Sequence, residues 1–186
     1  MPARLVAVLD ADVLVPILSC DLLLSAFEHD LFQPVVTPKI LTEVEHTLID
    51  DFAHLDPAAL TRRATQLAHA LRLHTLPDPT ITDAVESVNR KDRHVVAAAL
   101  TAKANLVVTN DKRLRRETTG MGESLRATTA DGFMVTLDKS SPESIDAALD
   151  AMIAKRLRRP ITKPELLNQL TASFPEFANR AKRTQR

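Results

Sequence analysis

Four acidic residues stand at positions where an α/β fold would bring their side chains together. Asp10 ends an apolar run typical of a buried strand, and Asp111 follows another. Asp92 begins an alanine-rich helix, and Glu43 lies in an amphipathic one. Ligands of open parallel sheets bind beyond the carboxyl ends of the strands. Clustered carboxylates repel one another unless a proton or cation offsets their charge, and Mg²⁺ or Mn²⁺ prefers such oxygen ligands. The pattern predicts a metal-dependent enzyme.

Each aspartate also has a structural interpretation. Asp10 and Asp12 are good N-cap residues for the helix that follows them. Asp111 could form an Asx turn with Asn110 before it. Asp92 could cap its helix, but helical spacing places it on the core-facing stripe, where an unpaired carboxylate is costly. These alternatives remain open for each residue taken alone.

Seven basic residues surround Asp92 and Asp111 in the sequence. They are Arg90, Lys91, Arg93, Lys112, Arg113, Arg115 and Arg116. Basic groups beside a carboxylate cluster fit a phosphate-bearing substrate, and a solvated loop is the alternative. The six histidines show no close metal-ligand spacing. His94, two residues from Asp92, could border the site, although a position on the helix surface is the default expectation.

Composition excludes several classes of protein. The chain has 186 residues, of which 45% are apolar, with six Phe and no Trp or Tyr; this argues against an aromatic platform that stacks bases. The single cysteine, Cys20, rules out an internal disulfide and a cysteine zinc site, and we expect it to be buried. Neither a signal peptide nor a membrane-spanning run is apparent, so we expect a cytoplasmic protein.

Charge is distributed unevenly although the net charge is zero. Residues 155–186 carry a net charge of +7 and residues 1–154 carry −7. A basic tail on an acidic body suggests that contact with a polyanion would use the tail and local patches. A solvated helical surface is the alternative.

Strand and helix patterns alternate along the first three quarters of the chain. This predicts an α/β, three-layer fold with a mostly parallel central sheet. We expect a first domain at residues 1–138 and a helical C-terminal extension with a basic tail at 139–186. Residues 111–124 are expected to form an exposed loop after a short helical turn. The apolar faces of the extension's short helices must be buried against other structure.

Four segments, in this order, resemble the PIN-domain family: residues 8–14, 40–44, 91–99 and 107–112. Members of this family are metal-dependent ribonucleases, and many are VapC-like toxins of bacterial type II toxin–antitoxin pairs. The resemblance implies a PIN-like fold over about residues 4–138. Ala11 and Asp12 depart from the family's usual Thr and Asn or Ser, and Asp12 adds a further carboxylate.

Carried over by position, the family's acidic quartet corresponds to Asp10, Glu43, Asp92 and Asp111. Glu43 is preferred to Glu45 only through this resemblance, since periodicity does not distinguish the two. The quartet would hold Mg²⁺ or Mn²⁺ and hydrolyse RNA phosphodiester bonds. The resemblance also implies an antitoxin partner and a homodimer.

Two other functions fit parts of the sequence. The segment 10–14 matches the opening motif of haloacid-dehalogenase-like phosphotransferases, in which Asp10 would be a phosphorylated nucleophile. Thr109 could be the strand-end Thr of that family, but no later strand ends in paired acids. A non-catalytic PIN-like module that binds a protein partner is the third alternative.

Overall fold

A computed structural model describes residues 5–121 and 124–184; for Thr184 it describes the backbone alone. Its sheet has four strands in the order β2-β1-β3-β4, and every neighbouring pair is parallel. The strands are β1 (Val6–Leu9), β2 (Gln33–Val35), β3 (Leu106–Val108) and β4 (Arg126–Thr128). The predicted α/β class with a parallel sheet is confirmed.

The two central strands are apolar runs without alternation, as strands buried on both faces should be. Val8 of β1 pairs with Val35 of β2 and Val107 of β3, and Val8 and Val107 are fully buried. Leu9 pairs with Val108. This register brings the residues that follow Leu9 and Val108 to the same edge of the sheet.

Helices follow the strands, and several begin at the capping signals of the sequence. Thr37 accepts a hydrogen bond from the Ile40 amide, and Pro38 is the first residue of its helix. The helices are α1 (Ala11–Leu14), α2 (Ile17–Glu28), α3 (Pro38–Asp51), α4 (Pro57–Ala70), α5 (Arg93–Thr101), α6 (Lys112–Thr119), α7 (Ala130–Ser140), α8 (Pro142–Ala154), α9 (Lys163–Leu170) and α10 (Pro175–Thr184). Short 3₁₀ turns cover Arg72–His74 and Asp83–Val85.

The prediction of a short helical turn followed by a loop over residues 111–124 is wrong for most of that segment. Lys112–Thr119 forms α6, because Asp111 caps its first turn and Leu114 and Thr118 are buried. The many charged residues concealed a helix whose apolar side is only one residue wide. Residues 122 and 123 lie outside the described part of the chain.

The chain folds into two compact units. One comprises Met1–Val15 and Gln33–Thr128, and the other comprises Pro16–Phe32 and Thr129–Arg186. The first contains the sheet with α1 and α3 to α6, and the second contains α2 and α7 to α10. The domain boundary expected between residues 138 and 139 stays a prediction.

The second unit provides the burial that its short helices need. α8 packs on α2 and α7, and α10 packs on α7 and α9. The large apolar residues in and between α9 and α10 are buried: Leu166, Leu167, Leu170, Phe174 and Phe177. Cys20 is also buried, as expected.

The basic tail is less available to a partner than the sequence suggests. Arg180 donates to the buried carboxylate of Asp138, and Lys182 donates to the Thr171 hydroxyl at 2.9 Å. Arg183 is exposed, and Arg186 lies outside the described residues. In the described part of the chain, no helix is both long and apolar enough to cross a membrane.

We predict that Arg180→Met lowers the free energy of unfolding by roughly 2 kcal/mol or more, because it leaves Asp138 buried without its cation. Arg183→Met, on the exposed part of the same helix, should change it by less than about 0.5 kcal/mol. Urea unfolding of both variants measures the difference. Equal midpoints would show that the Arg180–Asp138 pair does not stabilise this unit.

Candidate functional site

Asp10 lies at the carboxyl end of β1 and is held there by β3. Its backbone amide donates to the Val108 carbonyl at 3.1 Å, and its Oδ2 accepts from the Thr109 hydroxyl at 2.7 Å. Its Oδ1 accepts from the Ala11 amide at 2.7 Å, so the capping interpretation also holds. Burial raises the pKa of the Asp10 carboxyl above its usual value, and the negative charges of Glu43 and Asp92 raise it further.

Asp12 belongs to the same cluster rather than only to the first turn of α1. Its Oδ2 accepts from the Asn110 amide at 2.8 Å and lies 3.3 Å from the Thr109 hydroxyl. Burial, followed by the charge of Asp10, raises the pKa of Asp12 to about 7. Its Oδ1 is buried and has no hydrogen-bond partner among the described residues.

Glu43 projects from α3 towards α5, where it meets His94. The distance from Glu43 Oε2 to His94 Nε2 is 3.0 Å. His94 is buried, so its expected position on the helix surface is wrong. Glu45 is half-buried rather than fully exposed, and its side chain forms no hydrogen bond or ion pair within the described residues. The contact with His94 gives Glu43 a physical distinction that periodicity did not provide.

Asp92 precedes α5 but its side chain makes no capping hydrogen bond. Instead its Oδ2 accepts from the Arg113 guanidinium at 3.1 Å. Arg113 also lies 3.7 Å from Glu117, one turn further along α6. A cation from α6 therefore offsets the charge of Asp92, and the capping interpretation does not apply.

Asp111 is held mainly by the helix that it begins. Its Oδ1 accepts from the amides of Arg113 and Leu114 at 2.6 and 2.9 Å. The hydrogen bond from the Leu114 amide, more than the charges of Arg113 and Arg115, holds the pKa of Asp111 below its usual value. The capping role weighed for this residue is thus present, and its carboxylate is exposed.

The structure brings Asp10, Asp12, Glu43 and Asp92 into one electrostatic cluster. Asp111 is linked to it through Thr109, but its carboxylate is engaged by α6. Among the described residues, no three acidic, histidine or cysteine side chains are close enough together to hold an ion. The donor chemistry nevertheless fits a hard cation: the groups are carboxylates, their negative charges repel one another, and one buried oxygen of Asp12 has no partner among the described residues. A divalent cation would relieve this repulsion.

Two residues organise these acids without belonging to the predicted quartet. Thr109 is fully buried and connects three of them, since its hydroxyl oxygen also accepts from the Asp111 amide at 3.1 Å. His94 fixes Glu43. For Thr109 the available sequence signal was a Thr at the end of a strand, two residues before an Asp. The role of His94 depends on a contact between residues 51 positions apart, which sequence spacing does not reveal.

Comparison with known protein families identifies the family of this chain. The family model described as "PIN domain" matches residues 6–113, more than half of the chain. The chain belongs to the PIN-domain family. This membership argues against the dehalogenase-like alternative.

A relative from Mycobacterium tuberculosis bears the name "Putative ribonuclease VapC50". It is 28% identical over 103 residues, which are 54% of this chain and 61% of the relative. The match therefore spans about three fifths of that protein's length. No solved structure matches the chain significantly.

The pKa of Asp12 predicts a specific dependence of stability on pH. Between its usual value of 3.8 and about 7, the folded protein keeps a proton on Asp12 that the unfolded chain releases. With a metal chelator present, Asp12 should therefore lower the free energy of unfolding progressively as pH rises from about 4 to about 7. Above about pH 7 the reduction should stay constant.

We predict that Asp12→Asn raises the melting temperature by a few degrees at pH 7.5 and changes it little at pH 4. Thermal unfolding across this pH range, in chelator, compares the variant with the parent protein. A stability difference that is independent of pH would contradict the assigned cause.

Proposed function

We propose that this protein is an endoribonuclease that uses a divalent cation at the acidic cluster. The observation that carries the proposal is the burial of Asp10 against the negative charges of Asp12, Glu43 and Asp92, in a chain of the PIN-domain family. The name of the mycobacterial relative, which contains the word ribonuclease, supports RNA as the substrate.

In this proposal the cation is Mg²⁺ or Mn²⁺, and its ligands come from Asp10, Glu43, Asp92 and Asp111. When bound, such an ion lowers the pKa of a coordinated water and offsets charge on a phosphate oxygen. Asp12 is an additional carboxylate, close enough to Asp10 to join or to tune the site. We assign no covalent role to the protein, in contrast to a phosphotransferase with a nucleophilic Asp10.

The residues around the acids keep their carboxylates in position. The Thr109 hydroxyl donates to Asp10, which orients one oxygen and leaves the other on the Ala11 amide. His94 contacts Glu43 from a buried position. Arg113 holds Asp92 and presents a guanidinium that could also contact a phosphate oxygen. Fixed donors of this kind lower the cost of reorganising the site during reaction.

The biological setting is proposed on the same basis. A toxin of a toxin–antitoxin pair, located in the cytoplasm and bound by an antitoxin protein, fits the family and the name of the relative. We further propose a homodimer, and a nuclease domain at residues 1–138 followed by the extension at 139–186. A non-catalytic interaction module would instead bind a partner without cleaving RNA.

We predict that the purified protein cleaves single-stranded RNA with Mg²⁺ or Mn²⁺ and stops when a chelator is added. Asp10→Asn should reduce the cleavage rate by more than about 100-fold. Loss of a group that only orients a metal ligand typically costs roughly 10–100-fold, and loss of the ligand itself should cost more. Gel analysis of RNA fragments measures this, with circular dichroism to verify the fold. Cleavage that continues in chelator, or a phosphoaspartate trapped at Asp10, would contradict the mechanism.

Glu43 and Glu45 provide a matched pair on one helix. Glu43→Gln should reduce cleavage and raise the Mg²⁺ concentration needed for half-maximal rate, because a neutral amide binds the cation less strongly. Glu45→Gln removes the same charge but should leave both quantities within about twofold of the parent, because only Glu43 contacts His94. Rates across a Mg²⁺ titration test this. If the two variants behave alike, the assignment of Glu43 is wrong.

A further inference from the structure

Helix α6 distributes its basic residues over two separate sides. Arg113 and Glu117, four residues apart, lie on the side that meets Asp92 and the backbone amide of Asn89. Lys112, Arg115, Arg116 and Thr119 follow the spacing i, i+3, i+4 and i+7, so they share another side. Leu114 and Thr118 between them are buried.

The second side of α6 lines an open cleft of about 790 Å³. Its lining residues are Lys112, Arg115, Arg116, Thr119 and Ala127 of strand β4. We call it the α6 cleft. None of these lining side chains is acidic. The residues span about 10 Å along the helix axis at 1.5 Å per residue, which is enough for more than one phosphate of a nucleic-acid strand.

Two of the other basic residues near the acids are already committed to structural contacts. Arg113 pairs with Asp92, and Arg93 donates to the backbone carbonyls of Val88 and Glu86 at 2.9 and 2.7 Å. Lys112 and Arg116 are exposed and form no ion pair within the described part of the chain. Their positive charges therefore lack a counterion among the described residues, although residues 1–154 as a whole are acidic.

We propose that the α6 cleft binds the phosphate backbone of the RNA substrate next to the acidic cluster. This inference rests on the proposed ribonuclease function and deepens it. The cleft begins at Lys112, directly after Asp111, and Arg115 donates to the Thr109 carbonyl at 3.0 Å. A strand held along α6 would therefore leave or enter the reaction site at the carboxyl edge of the sheet.

The chemistry of the cleft fits phosphate rather than bases. Guanidinium and ammonium groups bind phosphate oxygens strongly, whereas the Thr119 hydroxyl already donates to the Arg115 carbonyl at 2.8 Å. The cleft has no aromatic residue among its described lining side chains on which a base could stack. Contacts to phosphate fix position without reading sequence. Binding at the α6 cleft should thus depend on salt and not on base sequence.

The test compares two double variants that remove the same charge. Lys112→Gln with Arg116→Gln alters the cleft, whereas Arg72→Gln with Lys103→Gln removes one Arg and one Lys that are also exposed, on other parts of the same unit. Both are made in full-length protein carrying Asp10→Asn, so that RNA stays intact with Mg²⁺ present. Fluorescence anisotropy measures the affinity for labelled single-stranded RNA over a series of salt concentrations.

We expect the cleft variant to bind at least about fivefold more weakly, and its slope of log affinity against log salt to be shallower by about 1.4, since each phosphate contact contributes about 0.7 for a single strand. The control variant should keep the parent affinity within about twofold. Two RNA sequences of equal length should give the same loss.

Three results would overturn the inference: equal affinities for the two double variants, no RNA binding by the Asp10→Asn protein, or a loss confined to one RNA sequence. Failure of the proposed function is separate. A parent protein that cleaves no RNA, while the cleft variant still loses binding, refutes the nuclease proposal and leaves the α6 cleft as a phosphate-backbone site.

Discussion

The hydrogen bond from the Thr109 hydroxyl to Asp10 joins the ends of the two central strands at the point where the acids converge. It exists because β1 and β3 pair in parallel with Leu9 opposite Val108, so the next residues of both strands emerge side by side. Thr109 is fully buried. The same hydroxyl lies beside Asp12 and accepts from the Asp111 amide, so the position of three carboxylates depends on one register.

The cluster combines repulsion among its acids with a separate stabilising contact for each. Asp10 has the Thr109 hydroxyl, Glu43 has His94, Asp92 has Arg113, and Asp111 has the amides of α6. Such contacts offset part of the cost of burying charge. Asp12 has the Asn110 amide on one oxygen, but its other oxygen is buried without a partner among the described residues. A site in which one carboxylate oxygen remains unsatisfied retains a free-energy gain for binding a cation.

Much of the fold could be predicted from the sequence because its signals are local. Continuous apolar runs identified the central strands, and Thr37 with Pro38 marked the start of α3. Helix α6 was missed because its charged residues obscure a narrow buried side. The order of the acids along the chain could also be read directly from the sequence. Their hydrogen-bond partners could not, because the contacts of Glu43 with His94 and of Asp92 with Arg113 join elements that are distant in the sequence. The choice of Glu43 over Glu45 therefore needed either a family resemblance or the three-dimensional structure.

The roles of the basic residues also depend on long-range contacts, which local composition does not reveal. Counting charges singles out the C-terminal tail, yet Arg180 and Lys182 there are engaged by Asp138 and Thr171. Counting also treats the arginines near Asp92 and Asp111 as one group, whereas Arg113 and Arg93 are structural. Only the folded structure separates basic residues that complete the fold from those that keep their charge for a ligand. In an acidic body, a few such residues on one side of a helix decide where a polyanion can approach the carboxylates without being repelled.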